Sequence, residues 1–368
     1  MDTPVLQFGT SRFLQAHADL FISEAMKRGE ALGPVTIAQT TGASERSRRL
    51  VALAAPDGFL IHIRGKQDGR IIDKVSCVMS VKRALSALTQ WDEVSRIFAG
   101  EAKVVICNTA DTGYDISAES PGWPEAIPAS FPGKLTKLLF ARFQQSGEGL
   151  TILPAELIPR NGDNLKATVL KLSRDWHVGE PFMTWVEEKV IFSNTLVDRI
   201  VSEPLEPAGA VAEPYALWAI ENQPGQVLPC KHPAMVVADD ITGYERLKLF
   251  ILNLGHTYLA EGWLKSNLPR DMTVREIMDR PDSRQRLEEL YIDEVLPGFA
   301  AQGMSAEARA YMVQTIERFE NPFLKHRLSD IAQNHQEKIR RRMGGFLDWS
   351  GADAPILRVM LADASQNA

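Results

Sequence analysis

Up to about residue 110 the chain alternates short apolar runs with stretches of helical spacing. Val5-Leu6-Gln7-Phe8 reads as a short buried strand. Residues 16–27 then place Ala16, Leu20, Phe21 and Ala25 on one helical face. "GPVTIAQTTG", from Gly33, reads as a second strand. "GFLIHIRG" and "RIIDKVSCVMSV" read as two more, the first with in-out alternation. "WDEVSRIFAG" predicts a helix closed by Gly100, and "AKVVICNTADTGYD" a continuous apolar strand that turns polar at its carboxyl end. Strands alternating with helices predict a parallel sheet covered on both faces. In such sheets ligands gather at the carboxyl ends of the strands. Residues 9–13, 39–41 and 108–113 are therefore expected to line one crevice.

Residues 118–133, "AESPGWPEAIPASFPG", are rich in proline and glycine and predict a loop. "KLTKLLFARFQQSG" and "DNLKATVLKLSRDW" predict helices on either side of a strand in "LTILPAELIPRNGDN", and "EKVIFSNTLVDRIV" opens on another strand. Beyond about residue 240 the strand signal fades. A series of helical patterns runs from "TGYERLKLFILNLGHTYLAEGWL" to "APILRVMLAD". The expected fold class is α/β: a Rossmann-like doubly wound sheet with insertions over residues 1–240, followed by an all-α domain over residues 241–368. The crevice is expected to lie between them.

A chain of 368 residues is long enough for two such domains, each with its own core. The net charge of -6 argues against a nucleic-acid partner, which would demand a basic face. Cys77, Cys107 and Cys230 are odd in number and far apart, so they predict neither a disulfide framework nor a metal site. The seven histidines form no His-x-x-x-His cluster, and no bound metal is expected. The first residues show no basic stretch before a long apolar core, and no apolar run is long enough to span a bilayer. The expectation is a cytoplasmic protein without a membrane partner; the oligomeric state is left open.

Two stretches carry candidate chemistry. "FGTSRFLQAH" stands where a dinucleotide fingerprint would follow the first strand, but it offers one glycine, Gly9, with Ser11 and Leu14 at the other two glycine positions. Taken alone it is a poor fingerprint, and an ordinary strand-to-helix turn with one glycine is the safer reading. "LKLFILNLGH" places Lys248, Asn253 and His256 in one helix. At about 100° per residue, Lys248 and His256 lie roughly 80° apart, with Asn253 about 60° beyond. A lysine beside an apolar helix suits a general base, and an amide with an imidazole suits an alcohol becoming a carbonyl. The bland alternative is a surface lysine, an exposed asparagine and a core histidine with its hydrogen bond satisfied, and spacing alone favours it.

The spacing Lys-x4-Asn-x2-His resembles the catalytic helix of the polyol-specific long-chain dehydrogenases, the mannitol dehydrogenase family. "CNTADTGY", "FPGKLTKLLFARF", "LPAELIPRNGDNL", "SNTLVDRIV", "VADDITGYERLKLFILNLGH" and "RFENPFLKHRLSDIA" resemble family segments in family order. The resemblance implies hydride transfer between a nicotinamide and a secondary alcohol, without metal. Lys248 would be the general base, Asn253 would stabilise the oxyanion, and His256 would orient the reacting oxygen. Asp198 would stand near nicotinamide and substrate; its alternative is an ion pair with Arg199. "FGTSRF" resembles the family's cofactor loop with Ser11 at the second glycine, which implies cofactor contacts from Gly9, Thr10, Ser11, Arg12 and Phe13. Thr40, Asn108, Thr109 and Asp111 would complete the cofactor set. Gln15 stands where the family usually has arginine.

"AELI", with Leu157 in place of a family asparagine, resembles the tagaturonate-reducing branch. Glu156 would either orient Lys248 or be structural, and Asn161-Gly162 is a good turn pair in any fold. A hexuronate carries a carboxylate, which calls for cations. "RFENPFLKHRL" supplies Arg318, Lys325 and His326, with Arg318 and Asn321 at family positions. This segment is expected to face the substrate carboxylate; the alternative is a solvated basic face. The implied partner is a small sugar acid or polyol. The implied cofactor is NAD. NADP is left open, because the second strand ends in Gln39-Thr40-Thr41 rather than an acid, with Arg46, Arg48 and Arg49 close behind. Rival expectations are a mannitol or other alditol 2-dehydrogenase, a fructuronate reductase, and a non-catalytic dinucleotide-binding sensor.

Overall fold

A computed structural model describes residues 2–40, 45–109 and 113–366. The chain falls into two compact units. The first comprises residues 1–62, 75–212 and 216–241; the second comprises 63–74, 213–215 and 242–368.

The first unit is organised on a six-stranded parallel sheet. Its strands are β1 (Val5–Phe8), β2 (Val35–Gln39), β3 (Val81–Ser86), β4 (Val104–Cys107), β5 (Leu150–Pro154) and β6 (Val190–Phe192). They lie in the order β3-β2-β1-β4-β5-β6, the doubly wound dinucleotide-binding order. Val5 faces Val35 on one side and Val104 on the other, and both pairings are parallel. The four residues of β1 and the four of β4 are all buried, as expected of strands covered on both faces. Helices Trp91–Gly100, Phe131–Gln145 and Asn161–Asp175 cover the sheet through one core that includes Leu6, Phe8, Phe98, Leu138, Ile152 and Leu165. Ser130 caps Phe131–Gln145 by accepting from Gly133 N at 3.0 Å. Within that helix the buried Arg142 donates to the Phe98 and Ala102 carbonyls at 2.6 and 2.9 Å. These bonds satisfy the carboxyl end of the neighbouring helix, whose last carbonyls have no partner within it.

Two smaller sheets complete this unit's strands. "GFLIHIRG" and "RIIDKVSCVMSV" are strands, as their patterns predict, but they form the hairpin Phe59–Gln67 and Arg70–Val78 outside the parallel sheet. The hairpin extends a sheet begun by Val201–Pro204 and Gly209–Ala212. Met235–Ala238, Leu217–Glu221 and Thr195–Asp198 form a three-stranded sheet.

The second unit is helical apart from the hairpin tip. Residues 242–265 form one continuous helix whose inner face, including Phe250, Ile251, Leu254 and Leu259, packs with Tyr291, Phe299, Phe319 and Phe346 into a single core. Residues 63–74 join this unit because helix Ser305–Phe319 holds them. Glu317 accepts from the Asp68 and Gly69 amides at 3.1 and 2.7 Å, Lys66 pairs with Glu320 at 2.5 Å, and Asn321 donates to the Arg64 carbonyl at 3.0 Å. No helix among the described residues is long and apolar enough to cross a membrane.

Candidate active site

The cofactor candidates of the first unit stand at the carboxyl ends of β2, β1 and β4, which are neighbours in the sheet. The strand order reverses between β1 and β4, the point at which open α/β sheets leave a crevice. Gly9 follows β1 with φ 121°, and a Cβ there would stand 2.8 Å from the Asn108 carbonyl oxygen. Only glycine combines that conformation with so close an approach. The following helix begins at Arg12, ahead of the helical pattern over residues 16–27, and Ser11 is its N-cap. The Ser11 Oγ accepts from Leu14 N at 3.2 Å. A hydroxyl used this way keeps its own hydrogen for an outside acceptor. The serine at the second glycine position therefore opens the helix and still presents a donor.

Arg12 is exposed, and Phe13 stacks on His17 at 4.8 Å. Gln15 braces the loop: its Nε2 donates to the Thr10 carbonyl at 3.0 Å and its Oε1 accepts from Gly209 N at 2.7 Å. Thr40 is half-buried at the end of β2. Arg48 is exposed, and Arg49 pairs with Glu206 at 3.4 Å. Asp111 lies outside the described residues.

Glu156 takes neither a free nor a solvent-facing position. It is buried, and its Oε1 accepts from both the amide and the hydroxyl of Thr109 at 3.0 Å. Its Oε2 accepts from the Tyr114 hydroxyl at 3.2 Å and lies 3.5 Å from the Cys107 sulfur. Burial raises its pKa. Glu156 thus anchors the turn that carries Asn108 and Thr109, while Asn108 Nδ2 is held on the Ala155 carbonyl at 2.7 Å. Asn161 is also fully engaged. Its amide nitrogen donates to the Pro154, Glu156 and Thr195 carbonyls at 3.0–3.1 Å, and its oxygen accepts from Thr195 N at 2.9 Å. It ties the end of β5 to the strand Thr195–Asp198. Asp198 is buried at the end of that strand.

In the second unit the helix over residues 242–265 is not uniform. Lys248–Asn253 is a π-helical turn. A π turn holds an extra residue, so positions beyond it lag by about 100°. Lys248 and His256 are then roughly seven effective steps apart and within about 20° of one line, rather than 80°. The turn's loosened carbonyls are met from outside the helix. Tyr291 donates to Ile251 O at 2.8 Å, and Arg342 donates to Asn253 O at 2.9 Å.

Lys248 and Asn253 are half-buried and His256 is buried. Burial, with the nearby charges of Arg342, Arg318 and Lys338, holds the His256 pKa well below its ordinary value, so the ring is neutral. It packs on Phe319 at 4.4 Å and meets His326 edge-on at 4.9 Å. Its Nε2 is sealed from solvent without a hydrogen-bond partner, as is Nδ1 of His326. Burial lowers the His326 pKa to about 4. Two neutral imidazoles with open nitrogens, in line with a lysine, can hold a hydroxyl and take its proton.

Arg318 stands apart from this use. It is buried, and its Nε and Nη2 donate to Glu213 at 3.0 and 2.8 Å, with its guanidinium 4.3 Å from the Tyr215 ring. The carboxylate expected to come from a substrate is thus supplied by Glu213, a residue to which nothing in the sequence pattern pointed. Asn321 is likewise engaged, with Arg64 and with Phe323 N. Lys325 is exposed. Among the described residues no three His, Cys, Asp or Glu side chains are grouped to hold a metal ion.

The Mannitol dehydrogenase Rossmann domain matches residues 3–228, and the Mannitol dehydrogenase C-terminal domain matches residues 240–349. The chain belongs to the mannitol dehydrogenase family. Among its relatives, the altronate oxidoreductase of Halalkalibacterium halodurans is 32% identical over 362 residues, covering 92% of this chain and 69% of that protein. The altronate oxidoreductase of Bacillus subtilis is 30% identical, covering 92% and 73%. Of the solved structures, substrate-free D-sorbitol dehydrogenase aligns with a TM-score of 0.75 at 17% identity, over 92% of this chain and 74% of that one. The Pseudomonas fluorescens mannitol 2-dehydrogenase ternary complex with NAD and D-mannitol aligns with a TM-score of 0.73 at 18% identity, over 99% and 79%. The family's fold therefore extends over both units.

Proposed function

We propose that this member of the mannitol dehydrogenase family is an NAD-dependent oxidoreductase that interconverts a secondary alcohol of a sugar acid and its ketone, with altronate and tagaturonate as the pair. The observation that carries the substrate class is the match to two altronate oxidoreductases over 92% of the chain. The residues present suit the cofactor. Gly9 leaves space that any Cβ would fill, Ser11 presents a hydroxyl at a helix start, and Glu156 fixes the turn beside them. When bound, the nicotinamide supplies the hydride acceptor for the alcohol carbon.

The chain's own residues would do the rest. Lys248 removes the hydroxyl proton, Asn253 donates to the oxygen as charge develops, and neutral His256 orients that oxygen through Nε2. The reaction needs no metal in this reading. Asp198 stands beside nicotinamide and substrate. Lys325, an exposed cation of its segment, takes the carboxylate, with neutral His326 contributing a hydrogen bond; Arg318 and Asn321 shape the wall.

The test is a panel of altronate, mannonate and mannitol with NAD and NADP, followed by nicotinamide absorbance, on the wild type, Lys248→Ala and Lys325→Ala. Altronate with NAD should be preferred, and Lys248→Ala should lower turnover roughly 10²–10⁴-fold. Lys325→Ala should raise KM for the acid and leave that for mannitol unchanged. Equal effects on both would remove Lys325 from the site, and binding without turnover of any substrate would favour a dinucleotide sensor.

A further inference from the structure

Of the three glycines in the helix that carries Lys248 and His256, two have opposite surroundings. At Gly255 a Cβ would stand 1.9 Å from the Tyr291 hydroxyl, so close packing explains it. At Gly262 a Cβ would meet nothing within 4 Å. Glycine inside a helix weakens it relative to alanine, and at Gly262 no neighbouring atom requires it.

Gly262 lines a cavity of about 550 Å3 within the second unit, a volume in the range of small-molecule sites. Tyr258, Glu261, Gly262 and Lys265 border it, on the face of the helix roughly opposite His256. Its apolar wall includes Leu259, Ile277, Ile356 and Val359, and the last two are 40% and 60% exposed.

The cations of this lining are not alike. Lys265 is neutralised by Glu261 at 3.1 Å and Asp363 at 2.9 Å. On the adjoining helix Arg284 pairs with Glu288 and Glu320 at 2.8 and 2.6 Å. Arg280 and Arg286, which line the cavity, have no ion-pair or hydrogen-bond partner among the described residues. With Lys265 taken up by Glu261 and Asp363, the cations of the lining that remain without an ion pair are Arg280 and Arg286. Tyr258, half-buried there, also lacks a hydrogen-bond partner.

We propose that this cavity is a second ligand site, separate from the catalytic helix face, which takes an amphipathic carboxylate: an acyl or aryl body against Gly262 and the apolar wall, its carboxylate on Arg280 and Arg286. A carboxylate matches the planar fork of a guanidinium, and the bare backbone at Gly262 lets a flat or linear body lie against the helix.

The full chain is titrated with anilinonaphthalene sulfonate, an amphipathic anion, by fluorescence, and the dye is then competed with octanoate or octyltrimethylammonium. The expected result is saturable dye binding that octanoate displaces and the ammonium does not. Gly262→Leu, which fills the cavity, and Arg286→Gln should each weaken dye and octanoate binding at least tenfold, with turnover unchanged. Thermal melting of each variant checks the fold. Should Gly262→Leu unfold, the exposed Arg286→Gln carries the test alone. Undiminished binding to folded variants, or equal displacement by the cationic competitor, overturns the proposal. Dye binding that appears only with self-association also overturns it, because the face is then an interface between copies.

Discussion

Each unit contains a helix interrupted by a π turn, and the two turns serve different ends. In the first unit the turn is Gln15–Asp19; the second unit has three among the described residues, of which Lys248–Asn253 lies on the helix with the candidate base. Both free carbonyls that distant donors satisfy. Arg199 reaches Ala16 O and Ser80 reaches Asp19 O, while Tyr291 reaches Ile251 O and Arg342 reaches Asn253 O. The histidines beside them diverge. His17 is buried, with its pKa lowered to about 3, and its Nε2 is bonded to the Leu217 carbonyl at 3.0 Å. His256 is buried and neutral as well, but its Nε2 has no partner. Each keeps one buried ring nitrogen without a partner, Nδ1 in His17 and Nε2 in His256, so what separates them is the bond that ties His17 Nε2 to the Leu217 backbone.

The largest effect should come from exchanging these roles. His256→Ala should lower turnover roughly 100-fold, the scale of one lost oxyanion or orienting donor, with the melting temperature little changed. His17→Ala should do the reverse, destabilising by about 1–3 kcal/mol through a lost buried contact and hydrogen bond while turnover per folded molecule holds. Steady-state rates and thermal melting on both variants decide it. A reversed pattern would mean that the His17 bond to the Leu217 carbonyl is no mark of a scaffold role.

The first turn also buries Asp19, whose carboxylate accepts from Gln7 Nε2 at 3.3 Å, and burial raises its pKa from 3.8 to about 7. A carboxyl with a raised folded pKa contributes stability below its unfolded pKa and loses it as pH rises through the folded one. Asp19 should therefore erode stability between about pH 4 and 7, by at most about 4 kcal/mol. His17 acts in the opposite sense, losing stability as pH falls from 6.5 towards 3. Asp19→Asn should raise the melting temperature at pH 8 and flatten its decline from acid to neutral pH. An unchanged slope would show that Asp19 is ionised without cost. The smallest effect concerns Ser11. Ser11→Ala should cost about 1 kcal/mol of helix capping and Ser11→Gly only a few tenths. If calorimetric NAD affinity falls in both variants alike, the hydroxyl acts on the cofactor and not only on the helix.

Much of the frame was legible in the chain. Gly9 after an all-apolar strand, "AKVVIC" before a polar turn, and helical periodicity from residue 240 onward reflect local rules, because strand burial and helical spacing are written in neighbouring residues. The candidate trio was legible as Lys248, Asn253 and His256, but its geometry was not. A straight helix sets Lys248 and His256 roughly 80° apart, and the π turn that brings them into line depends on Tyr291 and Arg342, which are 40 and 89 residues away. Nor could the sequence separate the polar residues that face a site from those spent on the scaffold. Glu156, Asn161 and Arg318 are of the right types for chemistry, yet each is engaged by Thr109, Thr195 or Glu213.

By itself, then, the sequence determined the alternation of elements, the position of the glycine turn and the identities of the candidate base and its neighbours, because short-range patterning and side-chain chemistry suffice for these. Only the tertiary structure decided which polar groups remain open, where the π turns fall, and that residues 63–74 and 213–215 join the helical unit. A hydrogen-bond partner is a fact of space, and these partners are supplied by parts of the chain that no local pattern connects.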